Sequence, residues 1–116
     1  MPVEDQPRLD IDNLIPNDIS MIQQKFIRLR DKWKADTAHV SSTSQRVLHP
    51  AYQAIIGMGP IVVPLLLREL ERRVDFWFWA LHAITGADPS PPEFRGDGEK
   101  MAKAWLAWGK SQSYTW

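Results

Sequence analysis

No cysteine occurs among the 116 residues, and that absence removes thiolate catalysis, cysteine-based zinc sites and any disulfide framework at once. It also fits a reducing cytosol. No apolar run approaches the roughly 20 residues needed to cross a bilayer. The start "MPVEDQPRLDIDNL" is acidic and proline-broken, without the basic-then-apolar order of a secretory leader. A cytoplasmic location with no membrane segment is therefore expected. An excess of one charge is missing too, since Lys and Arg total 14 and Asp and Glu total 14. The balance is uneven: over residues 1–18, Glu4, Asp5, Asp10, Asp12 and Asp18 stand against Arg8, a net −4 that leaves +4 elsewhere. So modest an excess does not supply the dense cationic surface of a nonspecific nucleic-acid binder. No serine nucleophile elbow, phosphate-cradling glycine loop or isolated carboxylate pair is present. His39, His49 and His82 lack metal-ligand spacing. No metal and no cofactor are expected.

What is present is a chain of single-domain size with 44% hydrophobic residues and six tryptophans, enough to build a core without metal or disulfide staples. Residues 1–16, with Pro2, Pro7 and Pro16, read as an extended acidic arm; residues 17–110 read as one helical domain, and residues 111–116 as a loose tail. In "NDISMIQQKFIRLRDKWKAD" the residues Ile19, Ile22, Phe26, Leu29 and Trp33 recur at steps of three and four, one face of a helix capped by Asn17 or Asp18. "HVSSTSQ" reads as a loop, because its hydroxyls compete for backbone hydrogen bonds. Pro50, after His49, suits the first turn of a short helix that Gly57 ends in the left-handed conformation. Pro60 opens the next helix, with Pro64 in or just past its first turn. Asp75 is placed to cap "FWFWALHAIT", which Gly86 ends, and Asp97 to cap a last helix carrying Met101, Ala104, Trp105 and Trp108. About five helices result, an all-α fold.

One phrase occurs nearly twice. "AIIGMGP" begins at residue 54 and "AITGADP" at residue 83, so that Ala, Ile, Gly and Pro recur 29 positions apart, where one helix stops and the next begins. A period near thirty built from two helices suggests a helical-repeat array whose units bury their faces by stacking. "IIGMGPIVVPLLLREL" followed by "WFWALHAITGADP" resembles HEAT-type repeats of the short bacterial, phycobilisome-lyase-like kind. Residues 48–90 carry the likeness, which extends to a set of small bacterial proteins. It implies a short α–α superhelix of helical hairpins, and a binding scaffold more than an enzyme.

The run Phe76, Trp77, Phe78, Trp79 points around nearly the whole of a helix. Burial by neighbours on every side accounts for most of these rings, with at least one left near a surface groove. Trp77 and Trp79 are accordingly candidate partner anchors. Two basic sets complete the candidates: Arg68, Arg72 and Arg73 at the end of "LLLRELERR", and Lys25, Arg28 and Lys32 along one flank of the first helix. Helix-terminal electrostatics and solvated charge explain both sets without function. Recognition of an acidic partner surface is the alternative. Asp75 and His82, about two turns apart, are spaced for a hydrogen-bonded pair.

The leading expectation is a noncatalytic protein-interaction module that meets a partner protein through helical faces and the acidic arm; its size suits an antitoxin, immunity or regulatory component. Second comes nucleic-acid binding, which requires Arg28, Lys32, Arg68, Arg72 and Arg73 to share one surface. Third comes an enzyme using the Asp75–His82 pair or a pocket formed by the aromatic helix. A monomer is expected if the first helix and the Trp105–Trp108 helix cover the two ends, a homodimer if a tryptophan face stays open.

Overall fold

Pro16–Asp36 form the first helix, α1, of a computed structural model that describes residues 16–116, with side chains from Ile19 onward. The arm up to residue 15 lies outside the described residues. Asn17 and Asp18, expected to cap this helix, lie inside it instead, because it already runs from Pro16, a residue suited to a helix's first turn. The α1 stripe meets the core as its spacing predicts: Phe26 and Trp33 are buried, and Ile22 and Leu29 pack partly buried beside them. The hydroxyl-rich stretch is not all loop, for α2 (Thr43–Val47) begins inside it, with Ser42 Oγ accepting from the Gln45 amide at 3.3 Å. A side chain that competes with helix in its interior is an N-cap at its start.

Entry into α3 (Pro50–Gly57) follows the sequence reading. His49 Nδ1 accepts from the Ala51 amide at 2.9 Å, and Pro50 stands in the first turn. The exit differs, because Gly57 stays helical and the left-handed residue is Gly59, at φ +79°. A 3₁₀ turn, Gly59–Val62, then leads into α4 (Val63–Arg72), with Pro64 in its first turn. At the second phrase Gly86 itself is left-handed, at φ +73°, and Pro89 opens no helix. The two phrases therefore end their helices at different residues. The first offers two glycines for the left-handed position and the second only one.

The helix α5 (Phe78–Thr85) begins three residues after Asp75, which does not cap it. Asp75 Oδ1 accepts instead from the neighbouring Phe76 amide at 2.8 Å. The cap comes from elsewhere: the buried Tyr52 hydroxyl accepts from the Ala80 amide at 2.9 Å and donates to the Phe76 carbonyl at 2.7 Å. Burial raises the Tyr52 phenol above its ordinary pKa, outweighing the opposing Ala80 bond, so the group keeps the proton it donates.

A 3₁₀ turn at Pro92–Phe94 precedes α6 (Gly98–Ser111), where Asp97 Oδ1 accepts from the Lys100 amide at 3.1 Å as its position predicts. The tail, expected to be loose, folds back. Tyr114 donates its amide to the Gly109 carbonyl at 2.9 Å and its ring lies 5.7 Å from that of Trp108. Trp116 Nε1 donates to Glu71 Oε1 at 3.1 Å. A Cβ on Gly109 would lie 2.7 Å from Leu67 Cδ1 and 3.0 Å from Trp116 Cζ3, so the missing side chain lets α6 approach α4 beneath the tail.

The described residues thus form six α-helices and no strand, an all-α fold. α1 lies against α3, α3 against α5, and α4 against α6, with α4 also touching α5. Trp77 sits at the centre of an aromatic cluster, its ring 4.7 Å from Trp33, 5.9 Å from Phe26 and stacked 5.8 Å from Tyr52. Burying one such side chain contributes on the order of 1.5–3 kcal/mol, and each ring pair about 0.5–1.5 kcal/mol more. Glu69, buried on α4, accepts from Arg30 Nη1 at 2.9 Å and lies 3.7 Å from Lys34 Nζ, tying α1 to α4 by charge. Among the described residues no single helix is long and apolar enough to cross a membrane; α3 with Gly59–Arg72 is apolar enough in sum but bends by 108°.

Candidate functional site

The sequence "RRVDFWFW" changes from charge to aromatics where α4 ends and α5 has not yet begun, and a groove opens there. Trp77 turns inward and is fully buried, whereas Val74, Phe76 and Trp79 remain 40%, 37% and 51% exposed. Those three line one side of a cavity of about 820 Å³. Val47 of α2 and Met101 and Trp105 of α6 extend its apolar wall, and the loop after α5 brings Asp88, Arg95 and Gly96 to the rim. Gly96 is left-handed, at φ +88°, and a Cβ on Gly98 would come within 3.0 Å of Val74 Cγ1. Glycine at these positions lets the loop and the start of α6 close against the groove. The Phe76 ring is held from behind by the Arg46 guanidinium, 4.9 Å from its centroid.

His82 is exposed within this groove, its ring 5.6 Å from that of Trp79. Its Nδ1 lies 2.8 Å from the Ala87 carbonyl. A carbonyl only accepts, so Nδ1 carries the proton and Nε2 of the neutral ring is the acceptor. Asp75 lines the same groove, but Oδ1 holds the Phe76 amide and Oδ2 lies 3.7 Å from Lys34 Nζ. The pair that their spacing suggested is therefore not formed: the loop carbonyl takes His82, and the turn takes Asp75.

A second cavity of about 340 Å³ abuts the first, sharing Asp88, Arg95 and Met101, and adds Ser90 between Pro89 and Pro91. Ser90 Oγ is buried and has no hydrogen-bond partner. Arg95 and Asp88 are exposed, and neither enters an ion pair among the described residues. Elsewhere a carboxylate is taken up: Asp36 pairs with Lys32 at 3.0 Å and accepts from His49 Nε2 at 2.9 Å. Among the described residues no group of three or more His, Asp or Glu is placed to hold a metal ion.

The other candidates fall in three places. Trp79 is at the groove, and Trp77, proposed beside it as an anchor, presents no surface to a partner because it fills the core. The four rings are not wrapped on every side, since Phe76 and Trp77 precede α5 and only Trp77 is fully buried. Arg68, Arg72 and Arg73 are exposed along and just beyond α4. Lys25, Arg28 and Lys32 are also exposed, but at about 100° per residue they lie roughly half a turn around α1 from Arg30 and Lys34, the two that reach Glu69 of α4. The α1 set thus points away from α4, the helix that carries Arg68 and Arg72. Sequence reading missed Phe76 as a surface ring, and it missed Asp88, Ser90 and Arg95 altogether. Those residues sit in "ADPSPPEFRGD", where turn formers conceal which polar groups converge. No protein-family model, curated protein or solved structure matches the chain.

Proposed function

We propose that the chain is a noncatalytic, cytoplasmic protein-interaction module whose partner docks at the groove around Trp79. The observation that carries this reading is the gathering of Val74, Phe76 and Trp79, three of the large hydrophobic side chains left exposed, on one concavity. Scattered apolar residues are ordinary on a surface, but aromatics collected at a concave site with charge at the rim are the material of an interface hot spot. The side-by-side stacking of α3 with α5 and α4 with α6 also suits the scaffold role of a HEAT-like hairpin array. Protein is favoured over nucleic acid because the α1 basic set points away from α4 and the groove carries Asp75 and Asp88 beside its single Arg95. A noncatalytic role is favoured over an enzyme because Asp75 is held by the Phe76 amide and lies near Lys34, and does not pair with His82.

The test is capture from a native cell extract at moderate salt, with the wild-type chain and Trp79→Ala side by side, each with and without nuclease. A protein retained after nuclease treatment and released by Trp79→Ala is the expected result. Retention that depends on nucleic acid and ignores Trp79→Ala overturns the reading.

A further inference from the structure

We propose that the groove receives the C-terminal residue of a partner polypeptide, with its apolar side chain among Phe76, Trp79 and Trp105 and its terminal carboxylate on Arg95. The inference rests on the protein-interaction reading and specifies what is bound. The two cavities form one cleft, since Asp88, Arg95 and Met101 line both, and their chemistry changes along it. The larger part is aromatic and aliphatic. The smaller is walled by prolines and holds the buried Ser90 Oγ, a hydroxyl left without a partner. That atom is closed to solvent, as is the equally unpartnered Trp77 Nε1 in the core, so the donor that the cleft opens to a ligand is the exposed Arg95. Arg95 presents a planar fork of N–H donors that fits a carboxylate by two parallel bonds, and no carboxylate of the described chain occupies it.

Asp88 selects among the anions that would satisfy Arg95. As an acceptor it matches an N–H group, and it disfavours a ligand that brings negative charge alone. An internal Asp or Glu supplies a carboxylate without an apolar side chain on the same residue. An apolar α-amino acid unit carries a side chain, an N–H and a carboxylate on one carbon, and in a protein-interaction module its source is the terminal residue of a partner polypeptide. Capture of a chain end in this manner is a recurrent mode of recognition. Pro89, Pro91 and Pro92 restrict the backbone of the polar wall, which reduces the entropy lost when a ligand is fixed there.

N-acetylated octapeptides ending in Phe, Trp, Leu, Ile or Val, each as free acid and as C-terminal amide, test the proposal by titration into the full chain labelled with ¹⁵N. The expected result is binding by at least one terminal residue, with shifts at the Trp79 and Trp105 indole N–H groups and the free acid at least tenfold tighter than its amide. Arg95→Gln is expected to abolish that ratio, and Trp79→Ala to weaken acid and amide alike. Both residues are exposed, and melting curves of the variants verify the fold. Equal affinity of acid and amide overturns the carboxylate claim and leaves the groove as an interface. So does failure of every peptide to bind while Trp79 still governs capture of a native protein. Shifts confined to Lys25, Arg28 and Lys32 overturn the proposal and the groove reading together.

Discussion

The Tyr52 hydroxyl closes the start of α5 from 28 residues away, accepting from the Ala80 amide and donating to the Phe76 carbonyl in the same buried space. Tyr52→Phe leaves both partners without a bond while keeping the ring stack with Trp77. A loss of about 1–3 kcal/mol is expected in urea unfolding, and a change below about 0.5 kcal/mol, the range of ordinary surface substitutions, would contradict the capping role. Asp36 makes a different prediction at the same scale. Hydrogen bonds from Lys32, then from His49, hold its carboxyl below the ordinary carboxylate range. A group lowered in the folded state contributes stability that is present above its unfolded value and lost as pH falls through the folded one. Wild type is therefore expected to lose stability relative to Asp36→Asn on acidification below about pH 4, and parallel curves would refute the pairing.

At the scale of elements, what was legible in the sequence is what depends on neighbours along the chain. His49 and Asp97 cap the helices that follow them, Gly86 ends α5, and the stripe from Ile22 to Trp33 faces the core, because a cap or a helical face is set within a turn or two. Long-range contacts were not legible. Nothing near Asp75 indicates that Tyr52 takes its place, nor does "YTW" indicate that Trp116 finds Glu71 on another helix. The choice between Gly57 and Gly59 depends on how α3 meets the 3₁₀ turn. The docked tail accounts for the half-buried face of Trp108. Gly109→Val drives a branched side chain against the buried Leu67 and the Trp116 ring and is expected to cost about 1–3 kcal/mol by overpacking. Removal of Tyr114, Thr115 and Trp116 is expected to make Trp108 fluorescence more accessible to acrylamide. Unchanged quenching would show that the tail does not cover it.

For the molecule as a whole, the tryptophans divide into those that hold the fold and one that faces outward. Trp33 and Trp77 are fully buried and in contact. Trp33→Ala is expected to cost about 3–5 kcal/mol, enough to unfold much of a marginally stable domain, whereas Trp79→Ala should change stability by about 0.5 kcal/mol or less. The groove was only partly legible for the same reason that the tail was not. Trp79 was found from an unusual run of aromatics, but Arg95, Asp88 and Ser90 reach it through a proline-rich loop whose course depends on α6. The most direct measurement replaces Trp79 with a photocrosslinking residue, and in a parallel chain Arg28 on the far side of α1, and irradiates both in native extract. The account predicts a discrete protein adduct from position 79 and none from position 28. Adducts from position 28 alone, or nucleic acid joined at either position, would contradict it.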